Sequence, residues 1–198
     1  MVKSSRIWSF RKPSLDVLRR IIESPAELPF TYGAVGSTAG TPPDGYVVDR
    51  TRVKLGEGEA VFRSAVSALK HWRQFDLGWV EVWPADSPIE PGRLVLVVGY
   101  AAGLWLHNLC RIIYVIDESD RFGFAYGTLP GHMASGEERF LIEWDHSDDS
   151  VWYDVLAFSR PHHFLTRVGY KLVRRLQKRF GRESSASMRR AVDGAAVS

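Results

Sequence analysis

Residues 121–140 read RFGFAYGTLPGHMASGEERF. This stretch begins with an aromatic run of strand composition and continues through a Gly- and Pro-rich loop that carries His132. A pair of glutamates then opens a second strand, in which apolar residues occupy every second position at Phe140, Ile142 and Trp144. Such alternation is typical of an antiparallel sheet with one face covered by other parts of the molecule.

Strand patterns extend outward from this stretch in both directions. Short polar turns separate the candidates, which favours hairpin connections between neighbours. A first strand is predicted at 46–54 from its β-branched content. The later strands are predicted at 79–83, 93–101, 105–117, 121–127, 138–145 and 151–158.

Helical spacing of apolar residues predicts three helices. The first covers about 14–24, with Ser14 at its N-cap position, and the second covers 56–72 with a break within 68–74. The third covers about 162–180. Its expected apolar stripe consists of Leu165, Val168, Leu172, Leu176 and Phe180. Beyond Gly181 the helix could continue as far as Arg190.

The order of these elements predicts an α+β fold in which a seven-stranded curved antiparallel sheet wraps around a long C-terminal helix. This order resembles the helix-grip arrangement of the START and Bet v 1-like proteins. The expected organisation is an N-terminal helical extension at 1–28, a helix-grip domain at 29–190 and a disordered tail at 191–198. The space between sheet and helix is either filled by side chains or left as an apolar cavity.

Several short motifs support a more specific resemblance. They are TYGAVGST (31–38), PDGY (43–46), LGEGEAVF (55–62), the Trp72/Phe75 pair, FAYGTLPGH (124–132), GEERF (136–140), AFSRP (157–161) and RRLQKRFGRES (174–184). With these motifs in this order, the chain resembles the domain of unknown function 1990 family (uncharacterised protein family 0548) over about 29–190. The resemblance implies a Bet v 1-like fold and implies no activity, because the family offers no established catalytic residues.

Composition restricts the class of protein. The chain has 45% hydrophobic and 25% charged residues, which is ordinary for a soluble globular protein. No apolar run approaches the ~18–20 residues needed to cross a bilayer, and the first residues lack the apolar region of a secretory signal. The single cysteine, Cys110, lies in an apolar run and suits a reducing compartment. We therefore expect a cytoplasmic protein.

Positive charge is concentrated near the C-terminus. Ten of the 26 Lys and Arg residues lie between Arg160 and Arg190, together with only one acidic residue, Glu183. A cationic amphipathic helix can contact an anionic membrane or an acidic partner. The alternative is the solvated face of a helix that closes the fold. Nucleic acid is disfavoured as a partner because no aromatic residues alternate with the basic ones.

The loop after residue 128 carries the titratable candidates. His132, Glu137 and Glu138 are ligand types without a characteristic metal spacing, so we predict no metal and no cofactor. Adjacent strand residues point to opposite faces, and we expect Glu138 to face inward because Arg160 could reach it. The alternatives are a structural ion pair at the end of the sheet and a solvent-exposed loop. The segment YGAVGSTAG (32–40) lacks the ending of a phosphate loop and is predicted to be a packed surface loop.

The leading functional hypothesis is the binding of a small apolar or amphipathic ligand between the sheet and the C-terminal helix. The candidate ligand-binding residues are Tyr126, Thr128, His132, Glu138, Arg160, Phe124 and Tyr153. The aromatic residues Phe140, Trp144 and Phe158 complete the pool for the cavity lining. One alternative is an isomerase, cyclase or hydrolase that uses His132 or a glutamate as general base. The other is an interaction protein that uses the basic helix, and the oligomeric state stays open.

Overall fold

A computed structural model describes residues 8–23, 28–161 and 170–195. Within these ranges the chain forms eight strands and three α-helices. They are β1 (Trp8–Ser9), α1 (Leu15–Ile22), β2 (Val47–Glu57), α2 (Glu59–Lys70), β3 (Val80–Trp83), β4 (Leu94–Ala101), β5 (Leu104–Asp117), β6 (Arg121–Thr128), β7 (Ala134–Asp145), β8 (Ser150–Pro161) and α3 (Tyr170–Ala195). The predicted start of the last helix, with the pair His162–His163, lies outside the described residues.

The strands form one antiparallel sheet with the order β2-β8-β7-β6-β5-β4-β3. β1 is a two-residue strand that pairs with β5 beside this path. Each strand from β3 to β7 pairs with its successor in sequence, while β2 joins the far edge by pairing with β8. The sheet is curved and the C-terminal helix lies against it, so the predicted helix-grip fold is confirmed.

The inner face of the sheet packs against α2, the 3-10 turn Arg73–Phe75 and α3. Alternate residues of every strand from β2 to β8 enter this core, including Phe124 and Phe140 from the stretch 121–140. Trp72 packs edge-on against Phe124, while Phe75 contacts Phe140 and Phe180. Apolar burial by this alternating set is the main force that holds the helices to the sheet.

The outer face of the sheet is covered as well. Leu18 of α1 is buried against Leu96, Val98, Leu109 and Leu129. The loop at 28–40 continues this cover over β6 and β7. Position 127 has room only for glycine, because Tyr32 and Phe30 occupy the space that a side chain would need. A Cβ there would lie 2.2 Å from the Tyr32 hydroxyl.

The helices confirm one sequence prediction and depart from others. The predicted break in the second helix is confirmed, because α2 ends at Lys70 and Trp72 adopts a left-handed conformation before the 3-10 turn. The last helix, predicted over about 162–180 with a possible continuation to Arg190, extends through Gly181 to Ala195 and thus enters the segment 191–198 that was expected to be disordered. Leu172, placed in the apolar stripe from sequence, is 44% exposed. The buried face of α3 instead passes through Gly181, Ser184 and Met188.

Candidate functional site

A cavity of about 240 Å³ lies between the inner face of the sheet and α3. This volume is far above the roughly 10–15 Å³ that one buried water needs, so the space can hold a small molecule. Its walls are mainly apolar and come from both sides. The sheet contributes Val80, Val97, Leu106, Val155 and Ala157, and the helical side contributes Phe75, Val173, Leu176 and Phe180.

Glu138 and Tyr126 form the main polar feature of the cavity wall. They are register partners on β7 and β6, so their side chains stand next to each other on the inner face. The Tyr126 hydroxyl donates a hydrogen bond of 2.6 Å to Oε2 of Glu138. Glu138 therefore faces inward, as expected. Its carboxyl group is part of the cavity wall and is held by one hydrogen bond, at Oε2.

The carboxyl of Glu138 is held in an apolar environment. Burial raises its pKa to about 7, the negative charge of Asp49 adds to this effect, and the hydrogen bond from Tyr126 opposes it. Burial and the neighbouring Glu138 also raise the pKa of Tyr126 well above its usual range. Tyr126 therefore remains a hydrogen-bond donor at neutral pH, while Glu138 exists in both protonation states.

Asp49 also lines the cavity but is already paired. Both oxygens of its carboxylate accept hydrogen bonds from the guanidinium of Arg174 on α3, with Nη2 at 2.5 Å from Oδ1. Arg174 also donates to Gln177 at 2.7 Å, and Gln177 donates to Ser159 at 2.9 Å. This chain of contacts ties α3 to β2 and β8 beside the cavity.

His132 and Thr128 lie on the cavity wall near the loop that joins β6 to β7. Nδ1 of His132 accepts the backbone N–H of Ala134 at 3.0 Å, which orients the ring within its own loop. Thr128 contacts Thr31 through their hydroxyls and accepts the N–H of Gly136 at 3.0 Å. Both residues therefore also stabilise the loop itself.

Glu137 faces the opposite side of the sheet and serves as an internal anchor. Its carboxylate accepts hydrogen bonds from the Tyr32 hydroxyl at 2.8 Å, from the N–H groups of Gly36 at 2.7 Å and Thr38 at 2.9 Å, and from the Thr38 hydroxyl. Gly36 adopts a left-handed backbone conformation with φ 87°. The loop at 32–40 thus surrounds an anion in the manner of a backbone nest, but the anion belongs to the protein.

The alternative that these glutamates lie in a solvent-exposed loop is therefore wrong for Glu137, whose side chain is buried and 3% exposed. Arg160 is not the partner of either glutamate among the described contacts. It pairs in register with Ser135 on the outer face, and its guanidinium lies over the ring of Tyr46. The expected Arg160–Glu138 pair fails because the two side chains point to opposite faces of the sheet.

Two of the aromatic candidates lie in the packed core instead of on the cavity wall. Phe124 is fully buried against Trp72 and Phe140. Tyr153 is also fully buried, with its hydroxyl 2.7 Å from the Ser184 hydroxyl on α3. Of the seven candidate ligand-binding residues, Tyr126, Thr128, His132 and Glu138 line the cavity.

Sequence reasoning missed several lining residues that come from distant elements. Phe75 belongs to the Trp72/Phe75 motif, Phe180 to the predicted apolar stripe and Asp49 to the first long strand. The motif and the stripe indicated burial for two of them, but burial alone does not distinguish a core residue from a cavity wall. That distinction requires the spacing between the sheet and α3.

The positive charges of α3 have several environments. Arg174 is paired with Asp49, and Arg179 binds Glu183 at 2.7 Å and lies over the ring of Trp79. Lys171, Arg175 and Lys178 are exposed. None of the helices among the described residues has the length and apolar composition required to span a bilayer. Within the same residues, no cluster of three or more His, Cys, Asp or Glu side chains is arranged to hold a metal ion.

Comparison with known proteins places this architecture in a family. Residues 31–187 match the family described as "Domain of unknown function (DUF1990)". A UPF0548 protein of Dictyostelium discoideum is 34% identical over 94% of this chain and 96% of its own length. A UPF0548 protein of Arabidopsis thaliana is 36% identical over 76% of this chain and 75% of its own length.

Among solved structures, the protein TTHA0849 from Thermus thermophilus has a similar fold, with a TM-score of 0.51 and 14% identity. The alignment covers 76% of this chain and 98% of that one. At this identity the likeness concerns the fold alone. The family match covers the loop that binds Glu137, the strands that carry Glu138 and Tyr126, and most of α3. The chain therefore belongs to the DUF1990 (UPF0548) family.

Proposed function

We propose that the protein binds a small apolar or amphipathic molecule in the cavity between the sheet and α3. The observation that supports this proposal is an apolar cavity of about 240 Å³ whose wall carries the Tyr126–Glu138 pair. Small-molecule sites are typically concave and apolar, with a few polar groups that fix the orientation of the ligand. A filled interior would have argued against ligand binding.

The size of the cavity limits the ligand. At roughly 30 Å³ per water in the liquid, the volume corresponds to about eight waters, and thus to a molecule of about eight non-hydrogen atoms. The apolar part of such a molecule would contact Phe75, Phe180 and Val155, and its polar end would meet Tyr126 and Glu138. Binding would replace cavity water with apolar contacts, which is favourable.

Native mass spectrometry of the protein purified from its own host tests this proposal. We expect a retained small molecule in the wild-type protein and its loss when Ala157→Phe fills the cavity. Ala157 lies directly opposite Glu138 in register and lines the cavity. Ala157→Leu is a smaller filling variant that keeps the test decisive if the phenylalanine disturbs folding.

The matched control is Val48→Phe. Val48 on β2 is 48% exposed and is not among the residues that line the cavity, so the new ring adds apolar bulk outside it. This variant should retain the molecule. An equal loss in the control, or wild-type protein that neither retains a molecule nor binds an added alcohol of about seven carbons, would contradict the proposal.

A second candidate function is proton transfer, and the position of Glu138 favours it. A carboxyl group with a pKa near neutrality inside an apolar cavity is suited to act as a general base or acid. The test is hydrogen–deuterium exchange at the carbons beside the carbonyl of a small ketone such as 2-heptanone in D₂O. Wild-type protein should accelerate the exchange and Glu138→Gln should not. Equal rates for both proteins would eliminate Glu138 as a catalytic base.

A further inference from the structure

We infer that the cavity selects amphipathic amines, with the protonated amino group of the ligand bound by the carboxylate of Glu138. This inference rests on the proposed ligand-binding function and specifies the ligand's chemical class. It depends on the charges around the cavity and on the one oxygen of Glu138 that Tyr126 leaves unoccupied.

The charges on the cavity wall favour a cation over an anion. Among the described residues, the lining contains carboxylates but neither lysine nor arginine. A fatty acid or phosphate headgroup would therefore find no opposite charge on this part of the wall, and it would be placed against Glu138. A cationic group would find an acceptor there, in surroundings of low polarity where a charged hydrogen bond is strong.

Glu138 is the acceptor that remains available. The carboxylate of Asp49 is occupied on both oxygens by Arg174, and Glu137 points to the outer face, where four donors bind it. Tyr126 donates to Oε2 of Glu138, and no described residue donates to Oε1. Glu138 is partly accessible and lies on the cavity wall. A ligand ammonium group at Oε1 would complete its hydrogen bonding.

Among the residues that the structure describes, no lysine or arginine beside Glu138 supplies a competing cation. Four side chains interact with Glu138 electrostatically, and none of them can carry a positive charge. They are Tyr126 on β6, Cys110 on β5, Tyr153 on β8 and Asp49 on β2. His132 lines the same cavity, with Nδ1 occupied by the N–H of Ala134. From α3, the facing polar side chain is Gln177, and Arg174 is paired with Asp49.

Amine binding should therefore strengthen as pH rises. An alkylamine stays protonated below a pKa of about 10, as lysine does, so Glu138 is the group that titrates near neutrality. With a pKa of about 7, Glu138 is ionised in about a tenth of molecules at about pH 6 and in about nine tenths at about pH 8. If only the ionised form binds the amine, its affinity should rise about tenfold between these pH values.

Calorimetric titration of the wild-type protein with heptylamine, 1-heptanol and heptanoate tests the inference. The three ligands share one apolar chain and differ in the charge of the head group. We expect heptylamine to bind about tenfold more tightly at about pH 8 than at about pH 6, heptanol to change by less than about threefold, and heptanoate to weaken as Glu138 ionises.

Glu138→Gln should still bind heptanol through the apolar wall and should lose both the preference for the amine and its pH dependence. The matched control Glu59→Gln removes an exposed carboxylate on α2 that is not part of the cavity lining, and it should leave the preference unchanged. Equal binding of all three ligands, or tighter binding of heptanoate, would overturn the inference and leave the proposed function intact. Failure of all three to bind would count against both.

Discussion

At the scale of single residues, the pair Glu137–Glu138 shows how two identical neighbours acquire different tasks. Strand alternation sends Glu137 to the outer face, where the loop at 32–40 supplies four donors to its carboxylate. Glu138 turns inward and meets one donor, Tyr126, inside an apolar cavity. Four hydrogen bonds therefore fix the position of the Glu137 carboxyl, whereas burial disfavours the charged form of the Glu138 carboxyl.

Replacing Glu138 with glutamine should stabilise the protein at alkaline pH. Its pKa in the folded state, about 7, lies above its ordinary value of 4.5, so folding holds the proton more tightly and stability falls as pH rises between these values. The difference corresponds to at most about 3 kcal/mol, reached above about pH 7. Urea unfolding should show Glu138→Gln to be more stable than wild type at about pH 8 and similar to it at about pH 5. A variant destabilised equally at both pH values would show that Glu138 is not held in this way.

Removal of the Glu137 carboxylate should destabilise the fold. Glu137→Ala leaves the donors of Tyr32, Gly36 and Thr38 without their acceptor in a buried position, which should cost about 3 kcal/mol in unfolding free energy. Glu118→Ala is the control, because Glu118 forms an exposed ion pair with Arg121 whose loss should cost less than about 1 kcal/mol. Similar losses in the two variants would refute the anchoring role.

At the scale of secondary-structure elements, α3 extends to Ala195, beyond the 162–180 core of the predicted helix and its possible continuation to Arg190. Gly181 and the serines that follow it are ordinarily unfavourable in helices, so they indicated an end near residue 180. In the structure these small residues form the buried face of α3. Ser187 donates to the backbone carbonyl of Arg73 at 2.7 Å, and Ser184 contacts the hydroxyl of Tyr153. Close packing against neighbouring elements therefore outweighs the low helix propensity.

Gly181 should be sensitive to the addition of a single methyl group. A Cβ at this position would lie 2.7 Å from Oγ1 of Thr51 on β2, so Gly181→Ala forces a shift at this contact. We expect a net loss of about 1 kcal/mol, because overpacking costs more than the ~1 kcal/mol that alanine adds in helix propensity. Thermal or urea unfolding measures this loss.

Two further variants determine whether the contact is the cause. Gly194→Ala on the same helix has open space around the new methyl group and should be equal or higher in stability. Combining Gly181→Ala with Thr51→Ala removes the obstructing hydroxyl and should recover part of the loss, as coupling between neighbours requires. Independent, additive effects of the two substitutions would argue against a clash.

At the scale of the whole molecule, the sheet is covered on both faces, and α1 contributes to the outer cover. Leu18 is 3% exposed within the cluster of Leu96, Val98 and Leu109. Leu18→Ala should therefore cost about 2–5 kcal/mol, and the unfolding transition should remain single because α1 belongs to the same cooperative unit. Leu15 on the same helix is 61% exposed, so Leu15→Ala should change stability by less than about 0.5 kcal/mol. Equal effects of Leu18→Ala and Leu15→Ala on the unfolding free energy would show that α1 does not contribute to the stability of the fold through Leu18.

Much of this architecture follows from local patterns in the sequence. Period-two alternation places the strands near their observed bounds and requires that only one of Glu137 and Glu138 face inward, because a strand has only two faces. Glu138 was selected because Arg160 could reach it, so its orientation was predicted correctly for a reason that the structure does not support. The break in the second helix and the amphipathic character of the last one are visible for similar reasons. The pairing of Glu138 with Tyr126 in place of Arg160 depends on register across β6, β7 and β8, which single-strand patterns do not contain.

The sequence by itself determined the order of strands and helices, because strand and helix periods are local properties. The family and its helix-grip fold came from the resemblance of the motifs and of this element order to known proteins. The tertiary structure alone decided which buried aromatics fill the core and which ones leave a cavity. It also decided that the glycine-rich loop binds Glu137 and that Glu138 stays without a cation among the described residues. These features depend on the distance between the sheet and α3 and on contacts between segments about 100 residues apart.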